Sequence, residues 1–148
     1  MFRLEDYLDD WKFDANTLAK RYDFQKHTRN GIVYIHTSPK QLVLYGEVFF
    51  AKFIFEKTGK WIHEIILYPI IDCAEMDIRY PSPEYLRVKT EYDEEFLMKN
   101  FGDNFILEKN ELGYTKYLKL PEYKIGYSAI TSGYDANTGG NIFIRFAK

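Results

Sequence analysis

Residues 41–68, QLVLYGEVFFAKFIFEKTGKWIHEIILY, decide the fold. Two long apolar runs flank Lys57-Thr58-Gly59-Lys60, and a glycine set between such runs marks a hairpin turn. Strand side chains alternate, so on the arm Val48 to Glu56 one face carries Phe49, Ala51, Phe53 and Phe55. The other carries Val48, Phe50, Lys52, Ile54 and Glu56, and neither face is polar. The return arm is mixed as well, with Trp61, His63, Ile65 and Leu67 set against Ile62, Glu64, Ile66 and Tyr68. A strand apolar on both sides is either covered on both or keeps one face for a partner, and burial is the expectation because exposed apolar patches are the exception.

Outward from that hairpin, the upstream chain reads as two helices and a tight turn. Leu4, Tyr7, Leu8 and Trp11 recur at helical spacing, and Glu5, Asp6, Asp9 and Asp10 fall on the remaining, solvated side. A second short helix is expected over Asp14 to Tyr22, with Asp14 as its cap. Asn30-Gly31 then sits between Phe24–Thr28 and Ile32–Thr37, a pair that tolerates positive φ and so predicts a hairpin. Downstream, Pro69 to Pro81 reads as a connection. Ser82-Pro83 opens a helix expected to run to Phe101, with Tyr85, Val88, Tyr92 and Phe96 as its apolar stripe and Gly102 as its left-handed cap. Strands follow at Phe105–Lys109, Tyr114–Leu120, Tyr123–Ile130 and Ile142–Phe146, the third one-sided through Ile125, Tyr127 and Ala129.

This predicts an α+β chain of antiparallel sheet with helices on one face. Matching punctuation suggests more: Leu18–Tyr22 answers Leu97–Phe101, Gly31 answers Gly113 and Thr58-Gly59 answers Thr138-Gly139, at offsets between 79 and 82 residues. Two tandem units of one helix plus four strands, residues 1–71 and 82–148 joined by 72–81 within a single domain, would give that pattern.

Composition narrows the classes of function. Thirteen Tyr and twelve Phe suit a pleated sheet, and Tyr in that number also suits a recognition surface. A net charge of −2 leaves no basic surplus to neutralise phosphates, so no nucleic-acid partner is expected. One cysteine, Cys73, forms no internal disulfide and fits a reducing compartment. The amino end MFRLEDYLDDW carries acids where a signal peptide needs an apolar core, and no window approaches a membrane span, so a cytoplasmic chain without membrane attachment is expected.

No chemistry follows from the reactive residues. His27, His36 and His63 have no second ligand-type residue at helical i+4 or strand i+2, so neither a metal nor another cofactor is expected. Acids flank Cys73 and would raise its thiol, which argues against a nucleophile. Glu91, Asp93, Glu94 and Glu95 crowd one helix and are read as mostly pointing to water. The glycine-rich loop Thr131–Asn141 feeds a strand rather than a helix N-terminus, so it is read as a long hairpin loop and a contact loop.

The order of elements, from the Asn30-Gly31 hairpin through Leu97-Met98-Lys99-Asn100-Phe101-Gly102 to Asn141-Ile142-Phe143-Ile144-Arg145-Phe146, resembles small bacterial immunity proteins of polymorphic toxin systems. In layout the repeated unit also resembles β-lactamase inhibitor proteins. The resemblance implies stoichiometric blockade of a toxin domain, with no catalytic residues to carry over. The candidate partner-binding residues are then Asp72, Glu75 and Asp77 in the connection, Glu91, Glu94 and Glu95 on the helix, and Tyr134 and Asp135 in the last loop. The competing readings are a ligand carrier or small enzyme with Phe49, Phe53, Trp61 and Tyr127 lining a pocket, and a homodimer built on the second face of Val48–Glu56.

Overall fold

The computed structural model describes residues 2–9, 14–37, 40–70, 83–111, 113–130 and 141–146. These form ten strands and three helices, an α+β chain with mostly antiparallel pairing, in two compact units: Met1–Ile70 with Arg145–Lys148, and Ile71–Ile144. None of the described helices is long and apolar enough to cross a membrane.

The first unit opens with β1 (Phe2–Arg3), α1 (Leu4–Asp9) and α2 (Ala15–Tyr22). Asp14 caps α2, accepting the Thr17 N–H at 2.7 Å, and that bond holds its carboxyl below the usual range. Strands β2 (Gln25–Arg29) and β3 (Ile32–His36) form the expected hairpin around Asn30 and Gly31, both at positive φ (52° and 74°). The long apolar run then departs from its reading as one arm. Tyr45 and Gly46 take φ of 49° and 84° and turn the chain, so β4 (Leu42–Leu44) folds back on β5 (Glu47–Phe55). β6 (Ile62–Pro69) returns along the other edge of β5, after a turn in which the Glu56 carboxylate accepts the Thr58 and Lys60 N–H groups at 2.8 and 3.1 Å.

Hydrogen bonding runs β1-β4-β5-β6, with β3 also on β5 and β2 outside β3; β1 and β4 are parallel and the other pairs here antiparallel. β3 and β4 therefore share one edge of β5. Thr37 continues the ladder between them, its N–H donating to the Ala51 carbonyl at 3.0 Å and its hydroxyl accepting the Ala51 N–H at 2.7 Å.

Register explains the mixed return arm. Ile54 faces Glu64 but Phe55 faces Ile62, so His63 is the extra residue of a β-bulge. The bulge swings Ile62 onto the face of Ile65, Leu67 and Pro69, and all four are buried there. Phe49, Ala51, Phe53 and Phe55 share that face, where Phe2 and Tyr7 set their rings edge-on to Phe53 at 6.0 and 5.7 Å and Phe24 stacks on it at 6.4 Å.

The second unit holds α3 (Pro83–Phe101) and the strands β7 (Ile106–Lys109), β8 (Gly113–Lys119), β9 (Tyr123–Ile130) and β10 (Ile142–Phe146), paired in the order β10-β9-β8-β7 and ending β10 in the first unit. β9 buries Ile125, Tyr127 and Ala129, as its alternation predicts. The described elements do not show the expected repeat: two helices and six strands precede residue 71, whereas one helix and four strands follow. The matched glycines differ too, Gly31 closing a two-residue turn and Gly113 a four-residue one.

Candidate functional site

The expected partner-binding residues scatter. Asp72, Glu75, Asp77, Tyr134 and Asp135, with Cys73, lie outside the described residues. On α3, Glu91 pairs with Arg87 one turn away at 2.8 Å. Glu94 ties its helix to the strands instead, accepting the Tyr127 hydroxyl at 2.8 Å while Lys116 Nζ stands 3.6 Å from its other oxygen. Burial first, and then the bond to Glu94, holds the Tyr127 phenol above its ordinary range. Glu95 is exposed. The suggested pocket residues do not gather either: Phe49 and Phe53 are sealed in the core of the first unit, Trp61 is 59% exposed at a turn, and Tyr127 belongs to the second unit.

Two charged residues are where no solvated-face reading puts them. Asp93 is fully buried and Lys89, one turn earlier, is 7% exposed. Among the described side chains of α3 the buried ones are Lys89, Asp93, Phe96 and Leu97, while Val88 and Tyr92 of the expected stripe are half-buried. Burial raises the Asp93 carboxyl well above its usual value and lowers the Lys89 ammonium, and each charge partly offsets the shift of the other. Among the described residues neither Asp93 carboxylate oxygen has a hydrogen-bond partner. A pair this enclosed can hold a helix in register, but a side chain with no exposed surface meets no substrate.

The first unit has an open site. On the side of β5 opposite the core, Val48, Phe50, Lys52 and Ile54 are half-buried, and neighbouring strands continue the row with Val43, Tyr34, His36, Ile66 and Tyr68. Register places each one: Phe50 faces Tyr68, Lys52 faces Ile66 on one side and His36 on the other, and Ile54 faces Tyr34. Where β2 joins, His27 lies opposite Tyr34 and its ring is 5.3 Å from that of His36. Lys52 Nζ rests 4.3 Å above the Tyr34 ring. His27, Thr28, Arg29, Tyr34, His36 and Lys52 line a cleft of about 440 Å³. Burial, and then the charges of His27 and Lys52, lower the His36 imidazole below its usual 6.5.

That cluster was within reach of the sequence. Once Asn30-Gly31 is taken as a two-residue turn, pairing is fixed and His27 and His36 must be diagonal neighbours across the hairpin. Searching along one strand at i+2 misses a pair that forms between strands. A larger cleft, of about 680 Å³ and lined by Phe2, Arg21, Tyr22, Asp23, Phe24, Lys40 and Gln41, has its charges engaged, with Asp23 and Lys40 2.6 Å apart and Arg21 over the Tyr22 ring.

Among the described residues no three His, Cys, Asp or Glu side chains converge as metal ligands would. No protein-family model matches the chain, and no curated protein or solved structure is significantly similar to it.

Proposed function

We propose that the chain is a non-catalytic, cytoplasmic protein-binding protein that blocks a cognate toxin domain by stoichiometric association, with the open face of β3, β5 and β6 as its contact surface. The single observation behind this reading is the half-buried row of Tyr34, Phe50, Ile54 and Ile66, continued by the exposed Tyr68, opposite a fully packed face of the same strands. Aromatic and aliphatic side chains in one row have the composition of an interface core. The acids on α3 contribute less, since Glu91 and Glu94 are engaged within their own unit. A second copy of the chain is the other occupant this face fits, and light scattering separates a dimer from a heteromeric complex.

Isothermal titration with the C-terminal domain of a modular toxin encoded by a neighbouring gene tests the reading. One-to-one binding at nanomolar concentration is expected, weakened at least about 100-fold by Phe50→Glu with the fold retained. A gene neighbourhood without such a toxin, or no heat at micromolar concentration, overturns it.

A further inference from the structure

We infer that the cleft between β2, β3 and β5 is an anion-accepting subsite that receives an acidic segment, carboxylate side chains of a protein partner, against His27, Arg29, His36 and Lys52. The inference deepens the reading of the open face and rests on it.

Charge complementarity carries it. Four cationic or protonatable groups, drawn from three strands, converge on a single cleft. Among the described residues no carboxylate lies within ion-pair distance of any of them. The acids that share this face are committed elsewhere: Glu64 of β6 to Arg145 at 3.4 Å, and Glu56, just past β5, to the amides of Thr58 and Lys60. Chains seldom gather like charges on a half-buried surface without a counter-charge, because the repulsion opposes folding. Here the His36 imidazole is disfavoured from taking up its proton by burial first and then by the charges of its neighbours on β2 and β5. A carboxylate in the cleft reverses that sign and adds charge-assisted hydrogen bonds from imidazolium, ammonium and guanidinium. Apolar Ile54 and Ile66 continue the face beyond Lys52, which suits a protein segment that mixes acids with apolar side chains. The overall charge of −2 does not suit a polyphosphate chain.

The test follows the imidazole resonances of His27, His36 and His63 in the full chain from pH 5 to pH 8, with and without an acetylated hexaglutamate peptide. His63, at the β6 bulge and outside the cleft, is the internal control. The midpoints of His27 and His36 are expected to rise together on saturation while that of His63 stays put, and binding tightens as pH falls. Lys52→Met and Arg29→Gln each weaken the peptide about tenfold, as loss of one charge-assisted bond requires. Unmoved His27 and His36, or equal movement at His63, overturns the inference. So does inorganic phosphate at equal ionic strength producing the whole effect with the peptide no tighter, since that marks a small-anion site. Retained hexaglutamate binding without toxin binding sinks the toxin reading alone. Toxin binding without hexaglutamate binding sinks the subsite alone.

Discussion

Phe53 and Phe50 stand three residues apart on one strand and live in different surroundings. Phe53 is fully buried beneath Phe2, Tyr7 and Phe24, whereas Phe50 is half-buried beside Tyr68 on the open side. Both faces of β5 carry a phenylalanine among further apolar residues, so the difference between Phe53 and Phe50 arises in what the rest of the chain brings to each. α1, β1 and the segment after α2 deliver rings to one face; β2 and β3 deliver His27, Tyr34 and His36 to the other. Apolar character makes a strand eligible for burial, and the amino-terminal rings Phe2, Tyr7 and Phe24 choose the face.

Substitution sharpens that contrast. Phe53→Ala removes a ring from a close-packed site and is expected to lower stability by about 3–5 kcal/mol in urea unfolding. Phe50→Ala is expected to cost about 1 kcal/mol, since less area leaves water at a half-open site. Equal losses would show that both faces are packed alike and break the comparison. The smallest effect concerns pH. Because the folded state holds the His36 imidazole below 6.5, the stability it contributes is complete above that value and declines as pH falls through the folded midpoint. Unfolding of the His36→Gln protein at pH 7.5, 6.5 and 5.5 should show a shallower decline than the parent. An equal or steeper decline would place the pH dependence elsewhere.

Much of this architecture was legible residue by residue, and the failures share a cause. The Asp14 cap, the Asn30-Gly31 turn, the 57–60 turn and the one-sided pattern of Ile125, Tyr127 and Ala129 are local signals, and each matches the structure. Tyr45-Gly46 was hidden because its flanks are apolar on both sides, so a two-strand hairpin reads as one long arm. The His63 bulge shifts parity by one and is invisible to a strict alternation. On α3 the acids read as mostly pointing to water, yet Asp93 is buried, and so is Lys89, which the expected stripe of Tyr85, Val88, Tyr92 and Phe96 leaves out. At the site, the acidic candidates follow from the resemblance to immunity proteins, whereas the cationic cleft forms only after strands pair and draws residues from three of them.

Backbone amide shifts of the labelled chain on titration with the toxin domain test most directly whether the open face of β5 is held for a protein partner. The largest changes are expected at Tyr34, Phe50, Lys52, Ile54 and Ile66, with α3 little affected. Changes concentrated at Glu91 and Glu95 of α3, with β5 unmoved, would contradict it.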